Sequence, residues 1–257
     1  TNKKVVIYTT PTCVYCKMAK AFFKKNNFKR GVVGVSGGVD SALTLKIAVD
    51  ALGAENVTAL ILPELGLTKQ ENIDHAKILC DFLGVEYYYQ PINPFLMDFK
   101  IVPWQPSKTA QMNTKARIRA VLLYNFANTR QALVLGTSNK SETLLGYGTK
   151  YGDMAADVEV IGDLLKTEVV QLAGYIGMPP EIVHKTPSAE LMPGQTDEEE
   201  MGATYVDLDK VLLKFALGCS AQECIEHGLP ATTVQLAYRR IDENKHKTEM
   251  PPVIKRR

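Results

Sequence analysis

Short apolar segments alternate with amphipathic segments through most of the 257-residue chain. The runs at 57–62 and 132–135 are short and almost wholly apolar, as strands buried on both faces are. The segments at 69–83 and 113–130 instead repeat apolar residues at helical spacing. Because strands and helices alternate in this way in α/β proteins, we predict a doubly wound, mostly parallel sheet flanked by helices.

Composition and charge exclude several classes of protein. Lys and Arg number 30 and Asp and Glu number 28, so the net charge of +2 gives no sign of a nucleic-acid-binding or membrane-surface protein. No apolar run approaches the ~20 residues that span a bilayer, and the first residues lack a signal-peptide core. The five cysteines are too few, and odd in number, for a disulfide framework. We therefore expect a cytoplasmic protein with neither a nucleic-acid partner nor a membrane partner.

A glycine-rich turn separates a short predicted strand at 32–35 from a predicted helix at 42–51. The turn is Gly34-Val35-Ser36-Gly37-Gly38-Val39-Asp40-Ser41. Free backbone N–H groups at a helix N-terminus suit a phosphate, and glycines let the backbone approach that anion closely. Asp40 beside a bound anion implies a bridging cation such as Mg²⁺. The turn lacks the Gly-Lys-Ser/Thr of a Walker A loop and has the wrong glycine spacing for a dinucleotide-binding turn.

Two other interpretations of this turn remain open. Gly34, Ser36 and Gly38 also match the nucleophile elbow of hydrolases, which would make Ser36 a nucleophile. Its general base would then be one of four histidines, His75, His184, His227 and His246. An elbow normally follows strands that supply the oxyanion hole, whereas one short strand–helix unit precedes this turn. The remaining alternative is an ordinary turn that binds no ligand.

The turn and a series of later blocks resemble known enzymes. The octet carries every fixed residue of the Ser-Gly-Gly-x-Asp-Ser loop of the N-type ATP pyrophosphatases. Further blocks follow at 136–142, 146–153, 155–157, 163–167, 185–191 and 193–198. Their order and spacing across residues 31–252 closely resemble NAD synthetases, above all Gly-Thr-x-x-x-x-Glu and Lys-Tyr-Gly-Asp. The resemblance implies an adenine nucleotide α-hydrolase-like fold.

It also implies an ATP-dependent amidation of deamido-NAD. The nicotinate carboxylate would attack the α-phosphate of ATP, which gives an NAD-adenylate and pyrophosphate, and ammonia would then displace AMP. Negative charge builds up on phosphate and acyl oxygens in both steps. Mg²⁺ and cationic side chains are therefore the expected stabilisers.

Positions that match the family give a set of expected site residues. The resemblance implies Asp40 and Glu142 as Mg²⁺ ligands, since two hard carboxylates suit that ion, and with Lys166 they would form the catalytic centre. The expected ATP contacts are Gly34, Val35, Ser36, Gly37, Gly38, Val39, Asp40, Ser41, Thr137, Lys166 and Ser188. The expected deamido-NAD contacts are Arg117, Lys150, Asp157, His246 and Lys247. Each alone could be an ordinary surface or ion-pairing residue, and only their ordered series favours the functional interpretation.

The family resemblance also bears on the nitrogen donor and the assembly. Glutamine-dependent members carry an additional amidase domain, for which this length leaves no room, so free ammonia is the expected donor. Family members are homodimers whose sites draw on both subunits. The apolar stripe Ile118, Val121, Leu122 and Phe126 is a candidate interface, although core packing explains it equally well.

Two residues depart from the family pattern. Met112 and Glu190 stand where family members often have glycine, and their bulk or charge could alter loop packing near the substrate. An alternative function is therefore a nucleotide-binding scaffold with impaired catalysis. Residues 137–163 are predicted to be irregular, and a basic tail at 245–257 is predicted to follow a last helix at 231–244.

The amino terminus resembles a different family. Residues 3–28 resemble the first strand and helix of a glutaredoxin, with Cys13-Val14-Tyr15-Cys16 as the redox motif. The Thr-Val-Pro segment of a working glutaredoxin does not occur, so we interpret 1–29 as a strand–helix fragment, as in an engineered chimera, packed on a synthetase domain at 30–257. It predicts an added strand at 4–9 and a helix at 17–27. Because some ATP pyrophosphatases that thiolate tRNA also pair this loop with Cys-x-x-Cys, that function is a less favoured alternative.

Overall fold

The strands form a single sheet in the computed structural model, which describes residues 13–194 and 196–255. They are β1 (Gly31–Gly34), β2 (Val57–Ile61), β3 (Glu86–Tyr89), β4 (Leu133–Gly136) and β5 (Val158–Glu159). Their order across the sheet is β3-β2-β1-β4-β5, and each neighbouring pair is parallel. The predicted doubly wound parallel sheet is confirmed.

Helices connect these strands and cover both faces of the sheet. They are α1 (Val14–Lys25), α2 (Val39–Leu52), α3 (Gln70–Leu83), α4 (Asn93–Asp98), α5 (Lys108–Arg130), α6 (Lys140–Leu145), α7 (Lys166–Tyr175), α8 (Pro180–Val183), α9 (Asp197–Met201), α10 (Tyr205–Ala216), α11 (Ala221–Glu226) and α12 (Ala231–Thr248), with 3₁₀ turns at Ala54–Asn56 and Phe99–Ile101. Within the part of the chain that the structure describes, no helix is long and apolar enough to cross a membrane.

The sheet separates two apolar layers because successive side chains of a strand point to opposite faces. Val33 of β1 belongs to the core cluster under α1, α2, α3, α7 and α8. Val32, its neighbour in the same strand, belongs to the cluster under α5, which also contains Ile118. A third cluster, built by α6, α10, α11 and α12 around Leu208, lies beside the sheet. The strand ends are therefore held firmly from both sides.

The structure corrects several boundaries expected from the sequence. Residues 137–163 are not wholly irregular, because they contain α6 and the short strand β5. The predicted basic tail begins as helix, since α12 continues to Thr248. Lysine and histidine residues favour the last turn of a helix, where they face its negative end. The stripe on α5 is explained by core packing at three of its positions, and only Val121 is largely exposed.

The structure describes the glutaredoxin-like amino-terminal segment, residues 1–29, from Cys13 onward. Its predicted helix is α1, which begins slightly earlier than expected and packs against α2 through the buried ring of Phe23. Tyr15 anchors it further by donating a hydrogen bond of 2.7 Å to the carbonyl oxygen of Val160. The predicted strand at 4–9 lies outside the described residues.

Candidate active site

The candidate site lies where the strand order of the sheet reverses. β1 pairs with β2 on one side and with β4 on the other, so the connections after β1 and β4 leave the sheet in opposite directions. Ligands of open parallel sheets bind at such a switch point, outside the carboxyl ends of the strands. A cavity of about 680 Å³ opens there and contains residues from both strand ends. Its size is in the range of roughly 300–1,000 Å³ that small-molecule sites occupy.

The loop 34–41 forms the floor of this cavity and begins α2. Gly38 is the N-cap of α2 and supplies no side chain, so the first N–H groups of the helix have no side-chain partner. Ser36 and Ser41 stiffen the loop instead, with their hydroxyl oxygens 3.1 Å apart and the Ser41 hydroxyl donating to Gly38 O at 3.0 Å. An anion placed here meets free N–H groups at the positive end of a helix.

Gly37 shows why this loop needs glycine. Its φ of 81° lies in the left-handed region, which side chains disfavour. A Cβ at this position would also lie 2.2 Å from the backbone oxygen of Asn72 in α3. The first turn of α3 is therefore packed directly on the loop.

Three charged side chains meet at the first turn of α2. Lys166, from the first turn of α7, donates from Nζ to Oδ2 of Asp40 and lies 3.9 Å from Oε1 of Glu142 in α6. The exposed side-chain fractions are 4% for Lys166, 19% for Asp40 and 18% for Glu142. The lysine is thus withdrawn from water while both carboxylates still reach the cavity.

Asn139 fixes the geometry of this group. Its side chain caps α6 by accepting a hydrogen bond from the N–H of Glu142 at 2.9 Å. The Glu142 carboxylate in turn accepts a hydrogen bond from the N–H of Asn139 at 3.3 Å. Its amide nitrogen also donates to Oδ1 of Asp40 at 2.9 Å. One fully buried side chain therefore sets the positions of both carboxylates.

Burial and charge shift the pKa values of the group in a consistent way. Burial raises the pKa of Glu142, and the neighbouring Asp40 carboxylate raises it further, while Lys166 opposes both effects. Burial alone would lower the pKa of Lys166, but the carboxylates of Asp40 and Glu142 outweigh it and raise that pKa above its ordinary value. Lys166 therefore remains a cation at the mouth of the phosphate-binding loop.

A second polar network lies next to this centre. The buried carboxylate of Asp197, in α9, accepts from the Tyr147 hydroxyl at 3.0 Å and from the N–H of Ala189 at 3.1 Å. Burial raises the pKa of Asp197, and the nearby Lys166 cation opposes the shift. The network ties the loop 184–190 to the wall of the cavity.

The carboxyl end of α12 closes another side of the cavity. Lys247 donates from Nζ to the carbonyl oxygens of Gly146 and Gly148, at 2.7 and 3.1 Å. Lys150 reaches the end of the same helix, where its ammonium contacts the carbonyl oxygen of His246, and the Arg117 guanidinium donates to the Lys150 carbonyl oxygen at 3.3 Å. Four residues expected to bind deamido-NAD are thereby brought together.

The fifth of these residues, Asp157, is held separately. Its carboxylate accepts from the backbone N–H of Val134 at 2.8 Å and from the Tyr124 hydroxyl at 3.3 Å. Tyr124 lies two turns beyond Arg117 on α5. The two groups of expected contacts thus flank the same long helix.

The cavity wall contains most of the expected ATP contacts. They are Gly34, Val35, Ser36, Gly38, Val39, Asp40, Ser41, Thr137, Lys166 and Ser188. Glu142 and Lys247 also line it, whereas Gly37 turns toward α3 and Arg117, Lys150, Asp157 and His246 lie outside the wall. The roles of all these residues stay predictions.

Sequence analysis did not assign four residues that the structure brings to this site: Asn72, Asn139, Lys185 and Asp197. The spacing Asn139-x-x-Glu142 was a readable signal, because an Asn followed three residues later by Glu is a capping box. Asn72 gave no such signal, since it lies within an ordinary amphipathic helix. Lys185 and Asp197 lie inside blocks that resemble the family, but their side-chain contacts depend on the fold.

The alternative interpretations of the turn gain no support from this geometry. The Ser36 hydroxyl is paired with Ser41, and among the described residues no histidine lines the cavity. Cys13 and Cys16 form a disulfide at the start of α1, and neither lines the cavity; Cys13 instead lines a separate shallow depression with Leu164 and Tyr175. A nucleophilic serine and a thiol acting in the cavity are both disfavoured.

Comparison with known proteins agrees with this geometry. The sequence model of the NAD synthase family matches residues 13–251. An NH(3)-dependent NAD(+) synthetase of Archaeoglobus fulgidus is 46% identical over 224 residues, which cover 87% of each chain. An NH3-dependent NAD synthetase of Campylobacter jejuni, solved with nitrate, is 31% identical with a TM-score of 0.77, over 94% of this chain and 96% of that one. An NMN synthetase of Francisella tularensis is 30% identical with a TM-score of 0.80, over 93% and 97% of the two chains. This chain is therefore a member of the NAD synthase family.

Proposed function

We propose that the protein is an ammonia-dependent NAD synthetase, which uses ATP to join ammonia to the nicotinate carboxylate of deamido-NAD. The observation that carries this proposal is the meeting of Asp40, Glu142 and Lys166 beside a loop with free N–H groups. Adenylyl transfer develops negative charge on phosphate oxygens, and a fixed cation beside a helix N-terminus stabilises such charge. The names of the similar synthetases support the same reaction and ammonia as the donor.

The reaction has two steps that balance in atoms and charge. A carboxylate oxygen of the substrate forms a bond to the α-phosphorus of ATP, and the bond from that phosphorus to the bridging oxygen breaks, so pyrophosphate leaves. Ammonia then forms a bond to the acyl carbon, the bond from that carbon to the oxygen shared with the phosphate breaks, and AMP leaves with that oxygen. The new C–N nitrogen gives up one proton to water, which leaves the neutral amide. Lys166, which its neighbours keep protonated, offers a positive charge to the α-phosphate in both steps.

Binding of the nucleotide falls to the loop 34–41 and its surroundings. The backbone N–H groups at the start of α2 would hold phosphate oxygens, and the hydroxyls of Thr137 and Ser188 would contact the rest of ATP. Because Asn139 fixes both carboxylates before the substrate arrives, little reorganisation is needed on binding.

The carboxylates of Asp40 and Glu142 fit a Mg²⁺ ion. Both are hard oxygen ligands, both reach the cavity, and the described part of the chain has no cluster of three or more potential ligand side chains of the His, Cys, Asp and Glu types. Mg²⁺ characteristically takes one or two carboxylates and completes its sphere with phosphate oxygens and water. When bound, it would neutralise charge on the phosphates of ATP.

The cluster at the end of α12 would bind deamido-NAD. Arg117, Lys150 and Lys247 gather positive charge beside the cavity near His246, which suits the diphosphate of a dinucleotide. Asp157, on the far side of Tyr124, would contact another part of the same ligand. We further propose that two copies form a homodimer and that the enzyme works in the cytoplasm, where ATP is available.

The amino-terminal segment is proposed to take no part in this reaction. We treat residues 1–29 as a glutaredoxin-like fragment and 30–257 as the synthetase domain. The Cys13–Cys16 disulfide lies outside the cavity, which supports the separation. Cys13→Ser keeps an oxygen acceptor at the N-cap of α1 and should leave NAD synthesis unchanged. A large loss of activity would instead assign the thiols a role.

One observation favours a second candidate substrate. The similar structure with a TM-score of 0.80 is named as an NMN synthetase, so amidation of the corresponding mononucleotide is the alternative. The chemistry at the carboxylate is the same for both substrates. The two differ in the adenylate half, which only the dinucleotide carries.

The test is an assay with purified protein, ATP, Mg²⁺ and ammonium, supplied with either deamido-NAD or nicotinate mononucleotide. We expect NAD, AMP and pyrophosphate in equal amounts from deamido-NAD, and a lower kcat/KM for the mononucleotide. Asp40→Ala should eliminate turnover with both. A higher kcat/KM for the mononucleotide would favour the second candidate, and binding of ATP without turnover would leave an impaired scaffold.

A further inference from the structure

Lys185 is placed over the phosphate-binding loop by a rigid part of the fold. It follows α8 directly after His184, and the side chains of Ile182 and Val183 anchor that helix in the core. From there its ammonium group donates to the carbonyl oxygen of Gly37 at 3.1 Å and contacts the amide oxygen of Asn72. Lys185 also lines the cavity.

The hydrogen-bond partners of the Lys185 ammonium are neutral. Both oxygens that it contacts are neutral, and in the described ranges 13–194 and 196–255 no carboxylate lies within ion-pair distance of it. Burial lowers the pKa of Lys185 because the charged form loses solvation, and the more distant carboxylates of Glu190 and Glu71 oppose that shift only in part. Buried charges are normally paired directly, so an anion that entered the cavity would supply the partner that this ammonium lacks.

Two lysines thus lie at the two ends of one loop. Lys166 contacts Asp40 in the first turn of α2, on the β4 side, whereas Lys185 contacts Gly37 just before the helix, on the side of α3. Glycine at 37 brings the backbone close to Asn72, which holds Lys185 in place. An extended polyphosphate lying along the loop would meet a cation at each end.

We propose that Lys185 is a further catalytic residue, which contacts the β- and γ-phosphates of ATP and stabilises pyrophosphate as it leaves. The inference rests on the proposed function, since it assigns the terminal phosphates to the Gly37 end and the reacting α-phosphate to the Lys166 end. When the bond between the α-phosphorus and the bridging oxygen breaks, the electron pair stays on pyrophosphate. The Lys185 ammonium stabilises that added charge without giving up its proton.

Equilibrium binding separates this role from a structural one. Isothermal titration with inorganic pyrophosphate, ATP and AMP, each with Mg²⁺, should show pyrophosphate and ATP bound about 10- to 100-fold more weakly by Lys185→Met. AMP lacks the terminal phosphates, so its affinity should not change. Lys185→Arg keeps the charge and should recover most of the loss. The matched control is Lys77→Met. Lys77 lies on α3, its ammonium is over the Tyr89 ring, and it does not line the cavity.

The outcomes divide cleanly. Unchanged pyrophosphate affinity in Lys185→Met overturns the inference, and so does an equal loss for AMP, because that would mean a general disturbance of the loop. If the wild-type protein makes no NAD but pyrophosphate binding still depends on Lys185, the proposed function fails while the phosphate contact stands. If it makes NAD and kcat is the same in Lys185→Met, the catalytic role fails alone.

A second measurement needs no variant. Acetylation of lysines by an activated ester, followed by mass spectrometry, can be run on the wild-type protein with and without saturating pyrophosphate. Pyrophosphate should protect Lys185 and leave the labelling of Lys77 unchanged. Equal labelling of Lys185 in both samples would contradict the proposal even if Lys185→Met did not fold.

Discussion

Lys166 donates a hydrogen bond to Asp40 across 126 residues of sequence. The contact joins the first turn of α7 to the first turn of α2, so it exists only because both helices begin at the same edge of the sheet. Glu142 supplies the second carboxylate, with its Oε1 atom 3.9 Å from the same ammonium. A single buried cation therefore holds two carboxylates close together, next to a loop suited to phosphate.

Removing this cation should stop catalysis. Lys166→Met would leave the carboxyl groups of Asp40 and Glu142 without their cation and would remove the positive charge offered to the α-phosphate. We expect kcat for NAD synthesis to fall by about 10²–10³-fold, the usual cost of losing one preorganised stabilising group. Lys140→Met is the control, because Lys140 forms an exposed ion pair with Asp163. Retention of wild-type kcat in Lys166→Met would remove Lys166 from the mechanism.

The raised pKa of Glu142 predicts how stability depends on pH. Glu142 stays protonated to a higher pH in the folded protein than in the unfolded chain, where its pKa has the ordinary value of 4.5. The cause is that burial and Asp40 disfavour the charged form. Between the unfolded-state and folded-state pKa values of Glu142, the folded state binds more protons than the unfolded chain. The free energy of unfolding therefore falls as the pH rises through this range. Glu142→Gln lacks the effect. Urea unfolding should therefore show Glu142→Gln gaining stability relative to wild type as the pH rises above 4.5.

Mg²⁺ should act on the same group. A protonated Glu142 cannot bind the ion, so Mg²⁺ added with ATP should raise the Tm of the wild-type protein more at high pH than at low pH. Chelation should reverse the gain, and Glu142→Gln should lose the pH dependence. A Mg²⁺ effect of equal size in both proteins would exclude Glu142 as a ligand.

Asn139 should matter for stability and catalysis in separable ways. Asn139→Ala removes the cap of α6 and the donor to Asp40, and we expect a loss of about 1–3 kcal/mol in the free energy of unfolding. Asn139→Ser keeps a capping oxygen but lacks the amide nitrogen that donates to Asp40. It should lose less stability than Asn139→Ala and still lose activity. Equal losses of stability in the two variants would mean that the cap contributes little.

Glu190 carries backbone strain that glycine would relieve. Its φ of 48° lies in the left-handed region, and this physical constraint accounts for the glycine common at the matching position of family members. The free energy of unfolding should be about 1 kcal/mol higher for Glu190→Gly than for Glu190→Gln, since glutamine keeps the left-handed backbone strain. Urea titrations of the pair measure the difference. Both should retain NAD synthesis, and inactivity of both variants would instead point to a role for the carboxylate.

Much of this site could be predicted because its parts are local in sequence. The apolar run before Gly34, the glycines and the serines of the loop 34–41 specify a strand, a turn and a helix without reference to the rest of the fold. Asp40, Glu142 and Lys166 were grouped by resemblance to a family, and the structure brings them together.

The rest depends on distances that no local pattern encodes. The bond from Asn139 to Asp40 joins residues 99 positions apart, and Lys185 meets Asn72 only because α3 packs on the loop. The helix α6 is too short for a periodicity to appear, so 137–163 looked irregular. The basic residues after 244 predict a tail by composition, whereas in the structure they continue α12 to Thr248, because basic residues favour a helix C-terminus.

The central claim is that the centre of Asp40, Glu142 and Lys166 transfers the adenylyl group of ATP to a carboxylate. The most direct test uses deamido-NAD with ¹⁸O in the nicotinate carboxylate, together with ATP, Mg²⁺ and ammonium. Mass spectrometry of the products should find one ¹⁸O atom in the phosphate of AMP and none in pyrophosphate, and Asp40→Ala should produce neither labelled AMP nor NAD. NAD formed with unlabelled AMP, or with label in pyrophosphate, would contradict the account.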